Sequence, residues 1–349
     1  MSLERKKLGD ALDLFNGKKP ELAEDGEFVV FGSNGTIGRS GKFNHPSSVI
    51  LGRVGAYCGA VKFSSEPFWA SDNTIVTRPK GDQDLKYWYY RLQTIPLRGY
   101  AGGAAQPLIT HSIIKPIETD VHKEKLEQER ISGVLSAFDD LIANNRRRIE
   151  LLEEAALLLY REWFVRLRFP GCEHVEIVNG VPSGWSQTTI GEHCPLVYGK
   201  ALKADAREPG EVDVYGSSGV VGTHNKALVH GSAIVVGRKG NVGSIYWARR
   251  KFWPIDTVYY IAPKNCDYFT YYALQHVQFI NTDVAVPGLN RDFAHSRKMT
   301  IPPEHLLEGF HAQIEPIQRQ IGVLERQASE LAKARDLLLP RLMDGRVEV

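Results

Sequence analysis

The chain is written twice, and that limits its possible folds more than any other feature of it. Leu8-Gly9-Asp10 is echoed by Ile190-Gly191-Glu192, and Asn16-Gly17-Lys18 by Tyr198-Gly199-Lys200. Phe31-Gly32-Ser33-Asn34-Gly35 answers Tyr215-Gly216-Ser217-Ser218-Gly219, and Gly52-Arg53-Val54-Gly55 answers Gly237-Arg238-Lys239-Gly240. Phe68-Trp69 with Asp72 matches Phe252-Trp253 with Asp256, and Tyr89-Tyr90 matches Tyr271-Tyr272. The offset stays between 182 and 185 residues, which accidental similarity does not do over so long a stretch. Two copies of one fold are therefore expected. A length of 349 residues suits two domains with connecting elements.

Within each copy, short runs rich in β-branched and aromatic residues are punctuated by glycine, proline and asparagine. These runs are Phe28–Phe31, Ser48–Leu51, Ala60–Phe63 and Thr74–Thr77, then Val212–Tyr215, Ala233–Val236, Ser244–Trp247 and Thr257–Ile261. They predict strands joined by tight turns. A helix is expected in each copy near Leu85–Gln93 and Tyr268–Phe279. The fold class is thus α+β, with each globular unit dominated by strands.

Each copy runs on into a long amphipathic helix. In the first, Ile131, Leu135, Phe138, Ile142, Asn145, Ile149, Leu152, Ala156, Leu159 and Trp163 alternate four and three residues apart. In the second, Ile314, Ile317, Ile321, Leu324, Ala328, Leu331, Arg335, Leu338 and Leu342 do the same. Such a narrow heptad stripe is the pattern of coiled-coil packing. From Ile131 to Trp163 the helix would run about 48 Å. Two self-similar stripes in one chain most economically pair with each other, antiparallel, and hold the two domains apart. Polar Asn145 and Arg335 then fix the register or face a partner.

The formal net charge is only +2, but the charge is unevenly spread. No acid stands between Glu27 and Glu66, where Arg39, Lys42, Arg53 and Lys62 lie. None stands between Asp213 and Asp256, where Lys226, Arg238, Lys239, Arg249, Arg250 and Lys251 lie. One such window is ordinary surface chemistry; two at matching places favour a polyanion-binding face. The expected DNA contacts are Arg39, Lys42, Arg53 and Lys62 in the first domain, and Lys226, Arg238, Lys239 and Asn241 in the second.

Several chemistries find no support. Gly52–Gly59 is rich in glycine but precedes a strand, whereas a phosphate-binding loop should open a helix. The histidines form no pair at metal-ligand spacing, and the four cysteines form no C-x-x-C, so neither a metal site nor a disulfide scaffold is expected. Phe68-Trp69 and Phe252-Trp253 read as core, and Asp72 and Asp256 as turn residues. An adenine amino-methyltransferase should carry an Asn/Asp-Pro-Pro-aromatic loop, but the sole Pro-Pro is Pro302-Pro303. The amino terminus has no apolar signal region and no run is long enough to span a bilayer, so a reducing cytoplasmic setting is expected.

Gln128-Glu129-Arg130-Ile131 running to Leu159-Tyr160-Arg161-Glu162-Trp163-Phe164-Val165, and Ala334-Arg335-Asp336-Leu337-Leu338-Leu339-Pro340-Arg341-Leu342 followed by Gly345, resemble the specificity subunits of type I restriction-modification systems. The two glycine-arginine turns are similar to that family's target recognition domains. The resemblance implies two such domains, 1–118 and 169–303, each reading half of a bipartite DNA target. Spacer helices at 119–168 and 304–349 would set their separation. It implies a non-catalytic chain. Modification subunits, expected to be two, would dock on the helices and use S-adenosylmethionine, and restriction subunits would use ATP and Mg. The first helix lacks the Pro-Pro that precedes the second, having Lys115-Pro116-Ile117-Glu118 instead. The alternative is a stand-alone methyltransferase or nuclease with a diverged site.

Overall fold

The computed structural model describes residues 2–103, 106–279 and 288–349. The chain divides into two compact units, Met1–Asn145 with Gln327–Val349, and Arg146–Arg326.

The first unit contains β1 (Leu3–Lys7), α1 (Leu8–Ala11), β2 (Leu12–Asn16), β3 (Phe28–Gly32), β4 (Gly35–Ser40), β5 (Ser48–Gly52), β6 (Val61–Ser64), β7 (Trp69–Ala70), β8 (Thr74–Pro79), α2 (Leu85–Gln93), α3 (His111–Ile114) and β9 (Glu118–His122). A four-stranded sheet has the order β2-β8-β5-β6 and a smaller one the order β4-β3-β7, while β1 pairs with β9. Every residue of β5 is buried. Strand side chains alternate between faces, so Val49 and Leu51 enter the main core with Tyr87, Trp88 and Leu92 of α2. Ile50 faces the other way and joins Phe68, Ala70 and Val76 under the small sheet. Asp84 caps α2 by accepting the Tyr87 N–H at 2.6 Å.

A long helix, α4 (Lys125–Tyr160), leaves this unit and ends in a wider π-type turn over Arg161–Val165. It starts at Lys125, later than the residue 119 expected, because Glu118–His122 are taken up as β9 against β1. The second unit contains β10 (Ile177–Val178), β11 (Val181–Pro182), β12 (Ser186–Thr189), α5 (Ile190–His193), β13 (Leu196–Tyr198), β14 (Val212–Gly216), β15 (Gly219–His224), β16 (Ala233–Gly237), β17 (Ile245–Ala248), β18 (Phe252–Pro254), β19 (Val258–Ile261), α6 (Tyr268–His276), α7 (Arg291–His295) and β20 (Lys298–Ile301). Its sheets have the orders β13-β19-β16-β17 and β15-β14-β18, with β12 pairing β20 and β10 pairing β11. Strand for strand, these are the orders of the first unit. Here β16 takes the part of β5: Ile234 and Val236 face the main core, and Ala233 and Val235 the smaller cluster around Phe252. Asp267 caps α6 through the Thr270 N–H at 2.6 Å, and α6 stops at His276, short of the expected Phe279.

The last helix, α8 (Glu304–Met343), follows Pro302-Pro303 directly. Each unit thus holds one globular domain, a piece of α4 and a piece of α8. In the first unit Ile131 and Leu135 share a core with Leu339, Leu342 and Met343, and buried Arg91 donates to the Met343 carbonyl at 3.2 Å, satisfying the end of α8. In the second, Tyr160, Trp163 and Phe164 surround fully buried Phe310, ring centroids 4.9 to 6.2 Å from it. Of the heptad residues, Leu135, Ile142, Ile321 and Leu324 are buried, and Phe138, Ile149, Leu152, Ile317, Leu331 and Leu338 are half-buried. No helix among the described residues is long and apolar enough to cross a membrane.

Candidate nucleic-acid interface

In both units the central strand of the larger sheet ends in a glycine followed by an arginine. The Gly52 N–H donates to the Ala60 carbonyl and its carbonyl accepts from Gly59, both at 2.8 Å. Gly237 makes the same two bonds to Ser244 and Gly243, at 2.7 and 2.9 Å. A Cβ on Gly52 would lie 2.3 Å from the Tyr57 carbonyl oxygen, and one on Gly237 2.0 Å from that of Asn241. Glycine is required at both places because the turn folds back against it.

The arginine after each glycine sits in a matching backbone cage. Arg53 donates its N–H to the Asn73 carbonyl and accepts from the Ile109 N–H, both at 2.9 Å. Its Nη1 donates to the Asp72 carbonyl at 3.3 Å. Arg238 donates its N–H to Thr257 at 2.9 Å, accepts from Leu289 at 2.8 Å, and donates through Nη1 to the Asp256 carbonyl at 3.0 Å. Asp72 and Asp256 use main-chain oxygens here, which accords with their reading as turn residues. Among the described residues no carboxylate oxygen lies within 4.0 Å of either guanidinium. Each is a fixed, half-buried cation with N–H donors that meet no partner among the described residues, the form that meets guanine O6/N7 or a phosphate.

The surroundings of the two arginines differ. The Arg238 guanidinium lies 5.1 Å from the ring of Tyr198 and 5.8 Å from that of Tyr259. Arg291 lies 5.0 Å from the same Tyr198 ring. Tyr259 donates its hydroxyl to the Leu289 carbonyl at 2.8 Å, and burial together with Tyr198 pushes its pKa up to about 12. It therefore remains a neutral donor, fastening the segment that cages Arg238. In the first unit the corresponding places hold Asn16, Ile75 and His111. Burial, then the charges of Lys115 and Arg53, keep the His111 imidazole below its ordinary pKa. Tyr198, Arg291 and His111 were not among the residues expected from the sequence. The one available signal was that the repeat breaks from Asn to Tyr immediately before Gly17-Lys18 and Gly199-Lys200.

The other expected contacts are distributed as follows. Lys62 lies on β6, in the same hairpin as Arg53 and opposite Ile50. Lys239 and Asn241 share the Arg238 turn and are exposed, with the Asn241 carbonyl accepting from Ser244 Oγ at 2.9 Å. Arg39 belongs to the smaller sheet, where its guanidinium is engaged by the Gly26 and Glu27 carbonyls. Lys42 follows β4 and stands 4.0 Å from Glu21, and exposed Lys226 lies in the loop after β15. The structure thus gathers Arg53 with Lys62 and Arg238 with Lys239 and Asn241, and puts Arg39, Lys42 and Lys226 on or beside the smaller sheets. Phe68 and Phe252 are core, as expected. Trp69 and Trp253 are only half-buried, because each indole reaches out to donate to the Lys18 or Lys200 carbonyl, both at 2.9 Å.

Known proteins agree with this architecture. Residues 2–154 and 182–304 match the family described as "Type I restriction modification DNA specificity domain". The chain is 25% identical over 342 residues to the type I restriction enzyme MjaIX specificity subunit of Methanocaldococcus jannaschii, covering 87% of this chain and 78% of that protein. It is 30% identical over 224 residues to a type I specificity subunit of Mycoplasma genitalium, covering 58% of this chain and 56% of that one. In fold it is similar to the crystal structure of a type I restriction-modification S subunit from M. genitalium, with TM-score 0.64 and 22% identity over 98% of this chain and 96% of that chain. The duplicated domains, the long helices and these matches lead to one conclusion: this chain belongs to the family of type I restriction-modification DNA specificity subunits.

Proposed function

We propose that each β-rich unit reads one half of a bipartite double-stranded DNA target through its glycine-arginine turn. Arg53 and Arg238 are the principal readers, and Lys62, Lys239 and Asn241 stand beside them. The observation that carries this reading is the repeated cage: the same hydrogen bonds fix an arginine at the same place in both units and leave it without a carboxylate partner among the described residues. A protein has little reason to hold a half-buried cation so firmly twice unless an acceptor arrives to meet it. Arg39, Lys42 and Lys226 serve as phosphate contacts on the flank.

The two long helices, we propose, pair antiparallel as a spacer of fixed length and relate the units by a pseudo-twofold axis. Support comes from within each unit. Arg335 and Asp139 form an ion pair in the first, where Ile131 and Leu135 lie in one core with Leu339, Leu342 and Met343. In the second, Trp163 packs on Phe310. The residue numbers rise along one helix as they fall along the other. In these terms 1–118 and 169–303 are the reading domains, and 119–168 and 304–349 the spacer segments.

Modification subunits, two of them, dock on the outer faces of the helices, where Leu141, Leu151, Leu158 and Leu337 are 45% to 66% exposed and have apolar surface to bury. S-adenosylmethionine belongs to those subunits, and ATP with Mg to restriction subunits. The cysteines are all free thiols, which fits a cytoplasmic setting.

The test is to measure affinity for target DNA with Arg53→Ala and with Arg238→Ala in the assembled complex. Each should weaken binding by about 1–3 kcal/mol and relax preference in one half-site only. Unchanged affinity and unchanged target sequence in both variants would remove the turns from the interface. The chain alone should transfer no methyl group from S-adenosylmethionine; if it did, the stand-alone enzyme reading would replace this one.

A further inference from the structure

Two positions flank the shared arginine in each unit, and both change identity between the units. Asn16 and Tyr198 close β2 and β13, pairing across to Ile75 and Tyr259. Each precedes a Gly-Lys whose lysine N–H donates to the Ala70 or Pro254 carbonyl at 2.9 Å. His111 and Arg291 open α3 and α7, two residues after Ile109 and Leu289, whose N–H groups hold the carbonyls of Arg53 and Arg238. The backbone frame is therefore the same, and the side chains placed beside the arginine are not.

In the second unit this frame holds two guanidiniums on one aromatic ring, Arg238 at 5.1 Å and Arg291 at 5.0 Å from the Tyr198 centroid. Tyr198 is 46% exposed, so the assembly faces solvent. Among the described residues the carboxylate beside Arg291 is Asp292, 3.8 Å away and 88% exposed, and such a contact does little to neutralise it. Arg291 Nε is buried and has no hydrogen-bond partner among the described residues. Two like charges stacked on an exposed ring form an acceptor-seeking surface, because each guanidinium keeps its planar fork and the ring orients both. The first unit presents something different at these two positions: an exposed amide on Asn16, and an imidazole on His111 whose pKa is lowered by its own burial, then by Lys115 and Arg53. An amide pairs with the N6 and N7 edge of adenine, whereas a guanidinium pairs with O6 and N7 of guanine.

We propose that the pair Asn16/His111 in the first unit and the pair Tyr198/Arg291 in the second set the difference in base preference between the two half-sites, the second accepting guanine beside the base read by Arg238. This rests on the reading of Arg53 and Arg238 as DNA contacts. It goes beyond it in naming which neighbours make the two units read differently.

The experiment grafts the first unit's pair onto the second by making Tyr198→Asn with Arg291→His in the full chain, assembled with its modification subunits. Methylated sites are then mapped on DNA of random sequence. The expected result is a change of at least about tenfold in preference at one position of the second half-site, the discrimination worth roughly one good bidentate contact. The first half-site and the spacing should stay as they were. Arg291→Lys, which keeps charge and bulk but loses the fork, should relax the same position and gives a second reading should the double variant fold poorly. A target sequence unchanged in both variants overturns the proposal. So does a uniform loss of affinity with the sequence preference intact, which would put the pair on backbone phosphate. Arg238→Ala, run alongside, separates the two levels. If it alters the second half-site and the graft does not, only this inference fails; if Arg238→Ala also changes nothing, the arginine-turn reading fails with it.

Discussion

His122 closes β9, just ahead of the first long helix, with no exposed surface, its Nδ1 3.0 Å from the Tyr87 hydroxyl and its Nε2 without a partner among the described residues. The same hydroxyl accepts the His122 N–H at 3.1 Å, so its proton is available for a neutral ring. Burial, then the charge of Arg91, lowers the imidazole pKa. A histidine whose folded pKa lies below its unfolded value favours folding only while neutral. The stability is present above about pH 6.5 and is lost as the pH falls from there through the folded pKa. Melting temperature should accordingly drop between pH 7.5 and pH 5.5, and the drop should shrink in His122→Gln, which cannot gain a charge. An equal drop in the variant would assign the effect to other histidines, of which His45 and His295 are also lowered. At this scale the sequence disclosed Arg53 and Arg238, because flanking glycines announced the turn and the repeat marked the arginine twice. It did not disclose Tyr198 and Arg291. They lie far apart in sequence and meet only because β13 pairs with β19 and α7 follows the segment that cages Arg238.

Among the elements, the long helices draw their order from both ends. Phe310 on α8 is fully buried among Tyr160, Trp163, Phe164 and Tyr272. Phe310→Ala should destabilise the second unit by about 3–5 kcal/mol, because a ring-sized cavity there is walled by other rings that cannot close it. Chemical denaturation monitored by tryptophan fluorescence checks this, since Trp163 and Trp185 border the cluster. A loss below about 1 kcal/mol would mean that the cluster rearranges freely. Ile142 is buried on the heptad stripe. Ile142→Glu puts an unpaired charge there, and should abolish co-elution with the modification subunits on a sizing column; normal assembly would argue that the stripes do not pair. The stripes themselves were legible, since a 3.5-residue spacing needs no tertiary information. The start of α4 was not, because Glu118–His122 becomes a strand only through β1, more than a hundred positions earlier in the chain.

For the whole molecule, the proposed spacer makes a geometric prediction. Seven residues added to each long helix in heptad register lengthen it by about 10 Å at roughly 1.5 Å per residue. At about 3.4 Å per base pair the unread gap between half-sites should grow by about three base pairs. Both half-site sequences should persist, and mapping of methylated sites reads gap and halves together. A gap that stays constant would detach the helices from the spacing.

What the sequence determined by itself was periodic or repeated: two copies of a strand-rich unit, two heptad helices, and an arginine kept on a glycine turn in each copy. Those features are local, and chain period, turn chemistry and self-similarity encode them directly. The tertiary structure decided which distant residues stand together: α8 ending in the core of the first unit, aromatic residues closing the end of α4 in the second, and Tyr198 between two arginines. Such meetings depend on strand order and helix docking, which fix neighbours across long separations that no pattern along the chain records.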